Sequence, residues 1–197
     1  MQTHEFHTTL GDTVSFRRGV SYRGSDLAES EDDGTLMINL KSFTQEGEYR
    51  PEGIKFHNGK FKKESFIKPN EIVIANTCQT RGGELLGAAV MIPSNFHGKQ
   101  VIGSHHTTIL TITHDSVIPR YILHVLNSPR VREKVKQYKR GALIQGILTS
   151  DLKKIMIKIP PLEEQEKIAV ILDKADEIKQ SSETSKNDSI FWVKAVP

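Results

Sequence analysis

The 197-residue sequence has a single cysteine, Cys78, so it can build neither an intrachain disulfide framework nor a cysteine-rich zinc site. No run approaches the ~18 consecutive apolar residues that span a bilayer. Met1 to Leu10 interleaves His and Thr and lacks the basic and apolar regions of a signal peptide. With one unpaired thiol and no membrane segment, the expected location is the cytoplasm. Catalytic signatures are missing too. There is no H-E-x-x-H, no G-K-[ST] after the glycines of Gly82-Gly83-Glu84-Leu85-Leu86-Gly87, and no [DN]-P-P-[YF] of an amino-methyltransferase. His105 and His106 are adjacent, so on a strand they point to opposite faces and do not readily chelate one ion together. Cys78 follows an apolar strand with no base beside it and reads as packing. The expectation is a protein with no catalytic and no metal site.

What is present is globular. Apolar residues make up 37% and charged residues 26%, enough for one compact domain with an appendage. The charge is divided unevenly. From Glu163 onward eight acids face five lysines, leaving 22 basic against 16 acidic groups before it, or −3 against +6. A basic body with an acidic tail suggests two surfaces for two kinds of partner, nucleic acid for the first; an ordinary solvated surface remains open.

Asp12–Phe16, Thr35–Leu40, Glu71–Asn76, Gly87–Ile92 and Thr107–Thr113 carry β-branched or alternating apolar residues and predict strands. Lys153–Ile159 alternates strongly and predicts a strand with one buried face. Pro119–Tyr138 reads as helix, broken at Asn127-Ser128-Pro129, where Ser128 can cap and Pro129 fits a first turn. In its second half Val131, Val135 and Tyr138 form one apolar stripe. The rest is basic, with Arg130, Arg132, Lys134, Lys136, Lys139 and Arg140 against Glu133 alone. That face can lie along phosphates or be a solvated surface. A further helix begins after Pro160-Pro161, with Glu163, Glu164 and Glu166 complementing its dipole. Ile168, Ile171, Ala175 and Ile178, flanked by Leu172, make a seam that packs lengthwise on another helix or on the chain's own body. The pattern predicts helix to about Gln180, and residues 181–197 read as a polar, flexible tail ending in the cluster Phe191, Trp192 and Val193.

Residues 141–176, GALIQGILTSDLKKIMIKIPPLEEQEKIAVILDKAD, resemble the end of a target recognition domain in type I restriction-modification specificity subunits. That family shows a glycine, a short helix with a Ser or Thr cap (here Ser150), an alternating strand ending in Ile-Pro-Pro-Leu (here Ile155 to Ile159), then Glu-Gln and an Ile/Leu-rich helix. Upstream, Leu10-Gly11-Asp12 with Gly19, Met37-Ile38-Asn39-Leu40 before Gly47, and Lys68 to Ala75 also fit. The resemblance covers about residues 8 to 180.

The resemblance implies a mixed α/β (α+β) recognition domain over 1–161, with a twisted mixed sheet and short helices. It implies a coiled-coil-type spacer helix over 162–180 and a tail over 181–197. It implies a non-catalytic subunit that reads one half of a split target in double-stranded DNA. Methyltransferase and restriction subunits would be its partners and would carry S-adenosylmethionine, ATP and magnesium, leaving this chain without a cofactor. Leu162, Gln165, Ile168, Ile171, Leu172, Ala175 and Ile178 would meet a partner helix. The family reads DNA through loops and strand ends. Arg81 with Gln79, then Lys60, Lys62 and Lys63 around Phe61, then Arg17, Arg18 and Arg23 with Tyr22 become candidate DNA contacts, with Arg130, Arg132 and Lys136 on the basic helix. The sequence departs from the family by holding one recognition domain where the full subunit has two. Such a half-subunit would either dimerise through its helix or work as one half. The alternative is a protein-interaction module that binds a helical partner and only non-specifically touches DNA.

Overall fold

The computed structural model describes residues 4–80, 82–96 and 98–194. In chain order its elements are β1 (Phe6–Thr9), α1 (Leu10–Thr13), β2 (Val14–Arg18), β3 (Leu27–Ala28), β4 (Thr35–Ile38), β5 (Lys55–His57), β6 (Ile72–Ala75), β7 (Thr77–Cys78), β8 (Ala89–Met91), β9 (Val101–Gly103), β10 (Thr107–Ile112), α2 (Pro119–Asn127), α3 (Pro129–Gln137), β11 (Gln145–Gly146), α4 (Thr149–Leu152), β12 (Met156–Ile159) and α5 (Leu162–Lys194). It is the mixed α+β architecture that the sequence predicts.

Strand β6 organises the layers. All four of its residues are apolar and all are buried, as a strand covered on both faces requires. Ile72 and Ile74 point to one core and Val73 and Ala75 to another. β6 lies inside an antiparallel sheet ordered β2-β10-β6-β8. On the first face sit α2 and α3, through Tyr121, Ile122, Leu126, Val131 and Val135. On the second sits a sheet ordered β3-β5-β4-β9, in which β4 and β9 run parallel, through Leu36, Ile38 and Val101. The body is thus helices, sheet and second sheet, with apolar contact on both sides of the middle layer.

Helix–sheet contact is reinforced by polar groups. Asn127, the last residue of α2, accepts from the Ala89 amide at 2.9 Å and donates to the Ala89 carbonyl at 2.8 Å, completing the edge of β8 as a neighbouring strand would. Gly47 closes over the same side chain with φ +93°; a Cβ there would fall 2.1 Å from Asn127 Oδ1, so the position admits only glycine. Ser128 caps α3 by accepting from the Val131 amide, as its place before Pro129 predicts.

Several boundaries differ from expectation. The strand predicted from Asp12 starts at Val14, because Leu10 to Thr13 wind into one helical turn. The strand predicted from Lys153 starts at Met156; Lys153 is the C-cap of α4, and only Met156 to Ile159 alternate exposed and buried. Ser150 is not the cap of α4, for Leu148 holds that position and Ser150 lies within the first turn. The largest difference is α5. It does not stop near Gln180 but runs to Lys194, 33 residues, or about 50 Å at 1.5 Å per residue. The trio Phe191, Trp192 and Val193 falls in this last stretch, where the side chains lie outside the described residues.

Candidate nucleic-acid interface

Alternation along β2 separates the two arginines at its end. Arg17 turns to the second sheet, donating to the Ser65 and Phe66 carbonyls at 3.0 and 3.2 Å and pairing with Glu71 at 2.8 Å. Glu71, only 5% exposed, also accepts from the Lys68 amide and the Thr111 hydroxyl. This arginine is committed to the fold, so its assignment as a DNA contact is corrected. Arg18 faces the other way, exposed, and lines a groove of about 440 Å³.

Much of the lining of that groove comes from after α3. Arg140, Ile144, Leu148 and Thr149 line it together with Arg18, Asn76, Thr77 and Thr108. Asn76 is held by a hydrogen bond to the Thr108 hydroxyl at 3.0 Å. Arg140 pairs with Asp151 at 2.8 Å, yet its own side chain stays 64% exposed. Lys154 first, then Arg140, hold the Asp151 carboxyl below the ordinary carboxylate range. No acidic side chain lines this groove among the described residues. It therefore offers the Arg18 and Arg140 guanidinium groups and the exposed Thr149 hydroxyl as donors for phosphate and base edges, while the Asn76 amide is already engaged by Thr108 and the His105 carbonyl.

Beside the groove, an aromatic cluster joins two loops that the sequence keeps apart. Tyr22 lies 5.4 Å from His105 and 6.4 Å from His57, ring to ring, and Phe61 meets His57 edge-on at 4.8 Å. The loop bearing Lys60, Lys62 and Lys63 is thereby brought next to Arg23 and Tyr22, with all four cations exposed. Lys55 sits 5.6 Å above the Tyr22 ring. His106 lies 3.9 Å from His105, ring tilted by 40°, and bonds Thr77 through Nδ1 at 2.8 Å. Burial pushes the His106 imidazole below its ordinary pKa, and His105, Arg18 and Lys55 push it further. The two histidines lie in the turn between β9 and β10 and not on a strand, so their rings are close neighbours where opposite faces were expected, and both are partly exposed.

Helix α3 contributes less than its composition suggests. Arg130 and Lys134 are exposed, and Lys136 pairs with Glu133 at 3.0 Å. Arg132 is 8% exposed and donates to the Glu84 carbonyl, so it holds the loop after β7 and is not free for a phosphate. Burial lowers its pKa from the usual guanidinium value. Gln79 is exposed, but it lines a separate hollow with Lys41, Gln45, Arg50, Thr80 and Glu84. Arg81 lies outside the described residues. Among the described residues no three His, Cys, Asp or Glu side chains come together as a metal site, and Cys78 is buried in the core.

The predicted partner-facing residues of α5 divide. Gln165 is fully buried: its amide donates to the Ser116 and Pro160 carbonyls at 2.8 and 2.7 Å and accepts from the Ile118 amide at 2.9 Å. It fastens α5 to the start of α2 and meets no partner helix, which corrects its assignment. Ile168 packs on the body's own core. Further along, Asp173 takes Arg120 at 2.8 Å and His124 at 2.7 Å. Leu162, Leu172, Ile171, Ala175 and Ile178 remain exposed, Ile171 at 65% and Ile178 at 71%.

The profile of the type I restriction modification DNA specificity domain matches residues 20–190. The chain belongs to the type I restriction-modification specificity family. No curated protein matches the sequence. Solved structures share the fold. A chain from work on complex assembly and conformational transition of the type I R-M system matches with a TM-score of 0.68 and 18% identity, over 98% of this chain and 44% of that one. The HsdS subunit from Thermoanaerobacter tengcongensis matches at 0.63 and 18%, over 94% and 40%. The type I S subunit from M. genitalium matches at 0.59 and 17%, over 89% and 40%. This specificity chain therefore spans less than half the length of those solved chains.

Two positions within the specificity domain escaped sequence reasoning. Lys55 sits in an unremarkable strand, and Arg140 is one of six cations on a helix flank. Only the tertiary pairing of β11 with β7 brings Arg140 into one groove with Arg18.

Proposed function

We propose that this chain reads a short sequence in double-stranded DNA, as the recognition half of a type I specificity subunit. The observation that carries the reading is the groove that gathers Arg18 and Arg140 with Asn76, Thr77 and Thr108, with no acidic residue in its lining among the described residues. Cations on phosphates fix a register, and the exposed Thr149 hydroxyl in the same lining can reach a base edge. The exposed lysines of loop 60–63 and Arg23, gathered around Tyr22 and His57, would add phosphate contacts, as would Arg130 and Lys136 on α3. Gln79 and Arg81 would add base contacts.

In this reading residues 1–161 are the reading unit, and the pairing of β1 with β12 supports it by closing that unit before α5 begins. The spacer is the helix from Leu162. Its uncovered stripe Ile171, Ala175 and Ile178, with Leu162 and Leu172, would receive a helix from a second copy or from the partner subunits. The chain itself performs no chemistry in this scheme and binds no cofactor. Methylation with S-adenosylmethionine, and cleavage with ATP and magnesium, would fall to methyltransferase and restriction subunits in the cytoplasm.

The test is selection from a random duplex library at about 100 mM salt, because at low salt phosphate contacts alone retain any duplex. An enriched word supports the reading, and a palindromic pair of words supports a dimer through α5. Retention without enrichment sinks it and favours a protein-interaction module with incidental DNA affinity.

A further inference from the structure

The segment between α3 and β11 presents apolar side chains to water on a stiff support. Arg140 and Gly146 exchange both backbone hydrogen bonds, at 2.9 and 2.8 Å, closing a tight hairpin. Gly141 turns it with φ +97°, and a Cβ there would come 2.2 Å from the Ile144 carbonyl oxygen. Behind the hairpin, Gln145 and Gly146 pair with Cys78 and Thr77, and Arg140 is tied to Asp151. On this base Leu143 is 82% exposed and Ile144 57%. An exposed loop has no folding reason to carry two large aliphatic residues at its tip.

The surroundings say what covers them. Ile144 forms part of the wall of the groove that also holds Arg18 and Arg140, and no acidic side chain among the described residues lines it. Lys139, next to Arg140, is exposed. The apolar tip, continued in the groove by Leu148 at 49% exposure and accompanied by Arg18, Lys139 and Arg140, is a small patch beside cations and not the broad desolvated patch of a protein interface. It matches a wedge, an aliphatic pair that enters between stacked bases while the cations hold phosphates on either side.

We propose that Leu143 and Ile144 insert at one base step of the bound duplex, unstacking it. The inference rests on the DNA-reading proposal above and adds a site to it: an aliphatic wedge whose ligand is the face of a base pair.

The experiment uses the full chain and the duplex word enriched by selection, with 2-aminopurine placed at each step in turn. Wild-type protein should raise the fluorescence severalfold at one step and leave the others near baseline. The double variant Leu143→Ser/Ile144→Ser should abolish that rise and weaken binding about tenfold, with the salt slope unchanged because no phosphate contact is lost. Leu143→Met should keep the signal. The tip is exposed, so matching thermal unfolding of the variants shows that folding is not the cause. An enriched word that is bound equally by the Ser variant, with no fluorescent step, overturns the wedge and leaves DNA reading intact. Loss of methyltransferase-subunit association in the Ser variant with DNA binding unchanged overturns it in favour of a protein contact. A library with no enriched word overturns the reading and the wedge together.

Discussion

The guanidinium of Arg132 donates to the main-chain carbonyl of Glu84, joining α3 to the loop after β7. The loop's own residues are tied in turn: Thr80 donates to the Glu84 side chain, holding that carboxyl below its usual pKa. A residue chosen for its charge thus serves as a strut.

Arg132→Ala should cost about 2 kcal/mol, the scale of a lost hydrogen bond from a charged donor. Arg132→Lys should not rescue it, because an ammonium on a flexible stem cannot reproduce the fixed fork. Arg130→Ala, at the exposed start of the same helix, should stay within about 0.5 kcal/mol of wild type. Urea midpoints at constant slope decide the matter, and equal losses at both positions would refute the strut.

Adjacent arginines on β2 should separate cleanly. Arg17→Ala leaves the buried Glu71 without its cation and should lower stability by about 2 kcal/mol, less than a fully buried pair because Arg17 is partly exposed. Arg18→Ala should leave stability near wild type while weakening every duplex and reducing the salt slope by about one. Titrations at several salt concentrations, beside an unfolding curve for each variant, show which arginine serves which purpose.

Gln165→Ala removes three hydrogen bonds at a fully buried site and should cost about 3 kcal/mol. Gln165→Glu should be worse than Ala at neutral pH. A carboxylate oxygen would then replace the amide that now faces the Ser116 and Pro160 carbonyls, acceptor against acceptor. Thermal unfolding ranks the two variants, and a Glu variant as stable as Ala would remove this reading of the site.

His106 gives opposite signs of pH dependence free and bound. Its folded pKa lies below the ordinary 6.5, so the unfolded chain takes the proton first and stability falls as pH drops below about 6.5. Phosphates beside Arg18 and Lys55 would offset the cations that depress it. Binding then takes up a proton, and affinity rises as pH is lowered below about 6.5. Anisotropy titrations across that range should show this slope in wild type and its loss in His106→Gln; an unchanged slope in the variant would assign the effect elsewhere.

Single residues mark how much of the fold and the groove is legible in the sequence. The β-branched run Ile72 to Ala75 and the Ser128-Pro129 cap are legible because each is a local pattern with one physical meaning. The strands β3, β5, β7, β9 and β11 are two or three residues long, too short for any period to show. Arg17 and Arg18 look alike in sequence because only the pairing Ile109↔Arg17 and Thr108↔Arg18 fixes which faces Glu71. Gln165 looks like part of an outward seam because its three partners lie some 50 residues upstream or in the preceding turn. The extension of α5 past Gln180 runs through Ser and Asn, residues whose weak helix propensity argues locally for a stop.

The antiparallel pairing of β1 with β12 runs from Phe6↔Ile159 to Thr9↔Met156. The polypeptide therefore enters and leaves the layered body through two neighbouring strands. A unit with adjoining doors can be exchanged for another of the same plan provided the α2 face that fastens Gln165, Ile168 and Asp173 is kept. Divergence confined to the loops that face the groove leaves that attachment of α5 untouched. New specificities can be tried on one side of the molecule while the helix on the other keeps its old associations.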